Sequence, residues 1–261
     1  MVGTGDHAAG NQGLYITNAA SDVKLLGALT NIAGAMYANA GTVTVGDGTH
    51  AARVETNRIE FGDSQGGEVS TLNIMKEATV HVKGEDSTDF GTTGLLLGEW
   101  AASSEANIHG KLYGDNTTAY VGDMQATINI EDGGVMAVKG IGITANKGGK
   151  SQILIVNLND GGKLVLGENG MTSEKPLTAT FGDAEVGVSA SSVEIGATIT
   201  LNGTTGTTFN TAMYTWTGQD DSLELETGEA AATITVSGNI TGDGTIIKTG
   251  DGSLVLSGDN N

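Results

Sequence analysis

Five short apolar segments in this chain end in Gly-Asp or Gly-Glu, placing carboxylates at Asp47, Asp63, Glu99, Asp123 and Asp183. If those turns stack on one edge, the carboxylates form a column suited to a hard divalent cation such as calcium. The competing reading is that Asp serves as a turn former and points into water. The second reading is preferred, because tandem calcium-binding nonapeptides are absent. Histidines at 7, 50, 81 and 109 are scattered without metal-ligand spacing, so no metal or other cofactor is expected. The only arginines, Arg53 and Arg58, lie near His50. They are a thin basis for a lyase or hydrolase acting on acidic polysaccharide, which needs paired carboxylates on a groove and a cation beside the substrate. No catalytic residue is assigned. No phosphate loop or nucleophile elbow is present either. Asn-x-Thr sequons at 116, 202 and 239 are read as chance in an Asn- and Thr-rich chain.

Aromatic residues are the better candidates for binding. Tyr214 and Trp216 alternate on one face near Phe209, and Trp100 follows the Gly98-Glu99 turn. Exposed rings of this kind stack on sugar faces or anchor a protein partner. The alternative is that they plug the wall where the fold changes width.

Composition narrows the class. The 261 residues include 42 Gly, one Pro and no Cys, and 31 acidic against 12 basic residues give a net charge of −19. That charge disfavours nucleic acid and anionic membrane surfaces and suits a soluble surface outside a cell. No disulfide framework or thiolate chemistry is available. No segment approaches the length of a membrane helix, so this sequence is not expected to insert in a membrane. Met1 is followed by neither a basic nor an apolar leader region. An export signal and any anchor are therefore expected outside the given sequence. Aromatic residues are only 4%, so Val, Ile, Leu, Ala and Thr must fill the interior as thin pleated layers.

Repeats decide the architecture. Leu72–Val82, Ile128–Val138 and Val156–Leu166 superimpose without gaps as strand, four-residue turn, strand, with a weaker copy at Ala106-Asn107-Ile108. Apolar residues alternate with period two. Leu72/Ile74, Ile128/Ile130 and Val156/Leu158 then face inward, and Asn73, Asn107, Asn129 and Asn157 form an outward column able to bond along the stack. Gly62, Gly98, Gly122 and Gly182 lie 36, 24 and 60 residues apart, multiples of 12 that suggest a coil near 24 residues. These features predict an all-β, parallel β-helix (β-solenoid) of short strands and Gly/Asn/Asp turns, with about 11–13 coils. Its length would be roughly 50–60 Å. A β-sandwich is the structural competitor.

Residues 1–40 are expected to form a cap or first irregular coils, because Leu25, Leu29, Ile32 and Met36 fall at helical spacing. Residues 41–202 form the coils, 203–232 an irregular excursion and 233–261 the last coils. Gly84–Gly94 and Gly167–Thr180 read as loops.

The last segment carries a motif. Gly242-Asp243-Gly244 and Gly250-Asp251-Gly252 separate Ile246-Ile247 from Leu254-Val255-Leu256, and Lys248, Gly258 and Asn260 follow the same pattern. This stretch resembles the autotransporter-associated β-strand repeat of type V secreted proteins. The resemblance covers residues 240–261 closely and residues 41–201 diffusely. It implies a right-handed β-helix in a secreted or outer-membrane surface passenger, crossing a pore unfolded, with the final coil templating folding. The expected function is a non-enzymatic adhesin or rigid presenting stalk. A secreted polysaccharide-active enzyme and a pure spacer are the alternatives. Expected partners are a host or matrix glycan or protein bound through Tyr214, Trp216 and Trp100, together with side-by-side association of rods.

Overall fold

The computed structural model describes residues 13–16, 18, 20–62, 68–84, 94–98, 103–122, 124–143, 152–173, 175–218 and 223–260. All regular structure among them is β. In chain order the strands are β1 (Leu14–Ile16), β2 (Asp22–Leu25), β3 (Ala28–Ala38), β4 (Gly41–Val45), β5 (Ala52–Phe61), β6 (Ser70–Ile74), β7 (Ala78–Val82) and β8 (Leu95–Leu97). The central coils hold β9 (Ser104–Ile108), β10 (Lys111–Val121), β11 (Gln125–Ile130), β12 (Val135–Ile143), β13 (Ile153–Leu158), β14 (Lys163–Met171), β15 (Leu177–Phe181) and β16 (Glu185–Val188). The remainder are β17 (Ser192–Ile195), β18 (Thr198–Leu201), β19 (Thr207–Thr217), β20 (Glu224–Ala231), β21 (Thr233–Val236), β22 (Ile240–Gly242), β23 (Ile246–Thr249) and β24 (Ser253–Leu256).

Alternate strands join two sheets. A small sheet of nine strands runs β2-β4-β6-β9-β11-β13-β15-β18-β22, and a large sheet of fifteen takes the rest. Every pairing in the small sheet is parallel. The chain therefore returns to the same edge once per coil, and the fold is a parallel β-solenoid. Long strands of the large sheet bend midway: β10 pairs β7 with its first half and β8 with its second, and slips register against β12 between Gly114 and Thr118. A coil thus has three faces, one from the small sheet and two from the large.

The bend interrupts the ladder, and buried threonines repair it. Thr56 and Thr211 are fully buried and donate their hydroxyls to the carbonyls of Gly34 (3.1 Å) and Thr249 (2.7 Å) on neighbouring coils. Thr117 does the same to Gly84. A buried carbonyl left without a donor would be costly, which explains a polar residue at an otherwise apolar position.

The core is one continuous column of inward side chains, including Leu72, Ile74, Val80, Val82, Ile128, Ile130, Leu164 and Leu166. Its few large rings meet late in the chain, where Phe181 and Phe209 pack with centroids 6.4 Å apart. The predicted Asn column is present. Asn73, Asn107, Asn129 and Asn157 stand in register, and each amide donates to the preceding one at 3.0, 2.7 and 2.8 Å.

Several expectations need correction. Among the described residues the small sheet counts nine coils rather than 11–13, because successive asparagines are 34, 22 and 28 residues apart rather than uniformly near 24. The stack from β2 to β22 spans roughly 40 Å. Residues 22–38 are β2 and β3, in register with β4 and β5, not a helical cap. Leu29 is 38% exposed, so the helical spacing marks no buried face. Gly27 and Gly34 weaken a helix there, and the neighbouring coil supplies a ready edge for pairing. Residues 203–232 are not irregular but contain β19 and β20. Gly167–Thr180 is mostly strand, since β14 continues to Met171 and β15 starts at Leu177. The predicted loop at Gly84–Gly94 lies largely outside the described residues.

The C-terminal motif builds the last coil. Gly252 and Gly258 let backbones touch, since a Cβ at either would sit 1.9 Å from Ala232 O or 2.1 Å from Gly238 O. Asn260 reaches back one coil to accept from the Ile240 amide at 3.2 Å.

One turn violates the local rule. Met75–Ala78, Glu131–Gly134 and Asn159–Gly162 are equivalent turns closed by bonds of 3.0, 2.7 and 2.9 Å. Their third residue has positive φ: 64° at Glu77, 73° at Gly133 and 77° at Gly161. Only Glu77 carries a side chain there, in a conformation costing L-residues roughly 1–2 kcal/mol. Glu77→Gly should raise the unfolding free energy by about 1 kcal/mol after glycine's own entropic cost. A shift of the urea midpoint at unchanged slope would show it.

Candidate functional site

The five carboxylates weighed as a cation column do not all fall on one edge. Gly62, Gly98 and Gly122 end strands of the large sheet, whereas Gly46 and Gly182 end strands of the small sheet. Asp63, Glu99 and Asp123 lie outside the described residues. Asp47 acts as a turn former, and Asp183 bridges two coils. Asp47 accepts from His50 Nδ1 (2.9 Å) and the amides of Thr49 and His50 (2.8 and 2.9 Å), and the His50 bond foremost holds its carboxyl well below the usual range. Asp183 reaches into the next coil and accepts from the amides of Gly206 (2.7 Å) and Thr205 (2.8 Å). The Gly206 amide leads in lowering it to about 2. No group of three His, Cys, Asp or Glu able to hold a metal ion occurs among the described residues.

The arginines do not join His50. Arg53 Nε and Lys83 Nζ each lie 2.9 Å from Glu55, whose side chain is 2% exposed. Burial pushes Glu55 up, yet the bonds and charges of Lys83 and Arg53 bring it below the ordinary range. Arg58 pairs with Glu60 and sits 5.3 Å over the Tyr37 ring. Behind Glu55, His81 contacts Asp115 at 3.1 Å. That bond leads in depressing the Asp115 carboxyl despite burial.

Tyr214 and Trp216 do come together, on a lateral device. The first half of β19 is an ordinary parallel rung between β16 and β23, but its second half leaves the coil and pairs antiparallel with β20. This is the one antiparallel pairing among the described strands. The hairpin folds back over the outer face of the large sheet, where Tyr113, Ala137, Val165, Tyr214 and Leu223 form a second apolar cluster with Trp216 and Leu225 packed against it.

The landing strip is a column in which one tyrosine is followed by three small side chains. Tyr113, Ala137, Val165 and Gly187 stand in successive register on β10, β12, β14 and β16. Gly187 gives Tyr214 its slot, since a Cβ there would lie 2.5 Å from the ring. Trp216 meets Tyr113 edge-on, with centroids 5.3 Å apart at 81°.

Polar groups fasten both ends. Lys111 Nζ is 2.7 Å from Glu224, which also accepts from the Tyr113 hydroxyl at 3.4 Å. Burial, then the Glu224 charge, raises the Tyr113 hydroxyl well above its usual range. At the root, the Tyr214 hydroxyl accepts from Lys163 (3.0 Å) and donates to Glu185, which also accepts from Asn210 (3.0 Å) and pairs Lys163 at 3.2 Å.

Magnitudes decide what holds the hairpin. The Lys111–Glu224 pair is 38% and 54% exposed, so it contributes at most about 1 kcal/mol. Truncating a buried ring costs roughly 3–5 kcal/mol, and Tyr214 is 4% exposed. Aromatic packing fastens the strap and the ion pairs set its position.

No protein family, curated protein or solved structure compared with this chain matches it. Tyr214 is buried and plugs a wall. Trp216 is half-buried. Trp100 lies outside the described residues. The landing strip itself escaped the sequence reading, although a signal existed: Met136-Ala137-Val138 and Leu164-Val165-Leu166 break the alternation, as strands covered on both faces do.

Gly187→Val should displace the Tyr214 ring and free the hairpin while the core stays packed. Hydrogen exchange would then show β20 amides losing protection and those of β11 keeping it. Acid should act similarly. Burial pushes Glu185 up, but bonds from Tyr214 and Asn210 and the Lys163 charge hold it below the ordinary range. A carboxyl lowered by folding stabilises above its ordinary value, and that contribution disappears as pH falls through the lowered one. β20 protection factors should fall below about pH 4, ahead of global unfolding.

Proposed function

We propose that this chain is a non-enzymatic module of a bacterial surface or secreted passenger, an adhesin or a rigid presenting stalk. The observation that carries the reading is the β19–β20 hairpin, a lateral element with its own core fixed to the side of a rod. Such a device presents a surface at a defined place without needing a cleft. Stacked coils make the rod stiff, because each coil is held by both neighbours. The net charge of −19 keeps it soluble and self-repelling. The C-terminal motif supports export as a passenger, and an extracellular or outer-membrane surface location follows from that resemblance. A host or matrix glycan or protein is the proposed partner class.

Glu55 and Glu185, two of the carboxylates packed against cations on this face, are both held below the ordinary range. That suits ion pairing better than the proton delivery a hydrolase requires.

Binding would use the outward side of the hairpin at the exposed Thr215 and Glu226, with the half-buried Trp216 packed behind them on Tyr113. A glycan and extracellular-matrix array tests this with the chain and a Trp216→Ala/Glu226→Lys variant that keeps Tyr214 in place. Specific binding lost in the variant supports the adhesin. A folded protein that binds nothing on the array counts against it and leaves the stalk.

A further inference from the structure

The hairpin leaves one edge of its own open. The outer half of β19 pairs with β20, and β20 pairs with no other strand among those described. The eight residues Glu224–Ala231 therefore turn a row of backbone N–H and C=O groups away from the hairpin. Residues 224, 226, 227 and 229–231 are exposed, so the strand is not covered by the rest of the chain. An open strand edge is a template for pairing with another chain. Its donors and acceptors alternate at the backbone repeat. Only another extended polypeptide matches them in register; a glycan or a free cation does not.

The edge lacks the usual guards. Lysines and proline commonly close such edges to pairing. Residues 207–232 contain no Lys, Arg or Pro. They carry instead Asp220, Asp221, Glu224, Glu226 and Glu229, of which the two aspartates lie outside the described residues. Glu224 is met by Lys111 at 2.7 Å. Glu226 and Glu229 form no ion pair among the described residues. Glu224 and Glu226 stand opposite Thr217 and Thr215, and strand pleating sets them about 6.8 Å apart on the same side of the ribbon. Residues i and i+2 of an added strand have that same spacing.

Charge then chooses the occupant. Like charges directly opposite in a sheet destabilise the pair. The β20 strand of a second copy would bring Glu against Glu, on a chain whose net charge is −19. A strand bearing Lys or Arg at alternate positions would meet carboxylates instead. Main-chain hydrogen bonds supply the pairing, and the alternate side chains supply the selection.

We propose that the open edge of β20 takes up, as an added strand, an extended polypeptide segment with basic residues at alternate positions. This rests on the presenting-hairpin reading above and names the class of its partner.

The test is fluorescence anisotropy of three labelled peptides titrated with the purified chain. One repeats Lys-Thr-Lys-Val, one has Glu in place of Lys, and one is the basic peptide with its backbone amides N-methylated. The basic peptide should bind, more weakly as salt rises. Hydrogen exchange should show β20 amides gaining protection in its presence while those of β11 stay unchanged. N-methylation keeps the charge and removes the main-chain donors, and should weaken binding roughly tenfold or more. Glu226→Lys/Glu229→Lys leaves Glu224 on Lys111, and should lose the basic peptide and take up the acidic one with circular dichroism and melting unchanged. Failure of the basic peptide to bind, or equal binding of the acidic or the N-methylated peptide, would overturn the proposal. A dimer of the chain with β20 protected before any peptide is added overturns it in favour of a second copy. The array answers separately: glycan binding there without peptide uptake here keeps the adhesin and removes only the added strand.

Discussion

In-register stacking of parallel coils is the constraint from which the rest follows. Each side chain lies about 4.8 Å from its equivalents in the coils before and after. A column must therefore be compatible with itself. Apolar residues satisfy this inward, and asparagine satisfies it outward because one amide both donates and accepts. Stacked carboxylates repel, so donors offset them where they meet, as at Asp160, which accepts from the amide of Asp183 in the next coil. They sit in turns, as Asp47 and Asp183 do, or beside cations, as Glu55 does with Arg53 and Lys83. The bends impose the complementary demand, and Thr56 and Thr211 meet it by capping carbonyls that the ladder has dropped.

The hairpin is where the chain leaves this regime. Antiparallel pairing of β19 with β20 releases it from the coil. It would be a floating ribbon without the strip of small outward residues beneath it. Ala137, Val165 and Gly187 leave room for aromatic rings on a face that elsewhere carries Arg53, Lys83 and Glu55. Packing outweighs charge in fastening it, since the ion pair at its tip is exposed to solvent.

The two sheets consequently differ in chemistry. The large sheet presents a crowded, ion-paired face partly covered by its own chain. The small sheet presents a sparser face of threonines and asparagines, interrupted by Glu105 and Ile155 and ending at Asp22 and Lys24. The acidic balance of the whole chain makes the scarcity of charge on that small-sheet face a property of placement rather than of composition.

The sequence by itself determined the coil. Period-two alternation at Leu72/Ile74 and Ile128/Ile130, the Gly turns and the Asn spacing specify a parallel stack, because these are local signals that repeat. It also showed the Asn ladder, since identical residues at equivalent positions must meet. It did not determine coil number or the fate of residues 22–38, because lateral loops change coil length without changing the rungs. It could not place the aspartates in one column, since Gly-Asp turns end strands of both sheets and look alike locally. Only the tertiary structure decided that Tyr214 is buried and that Trp216 lies against Tyr113. Those contacts join residues about a hundred positions apart across the outer face of three coils, and no local periodicity records which side of a rod a hairpin will choose.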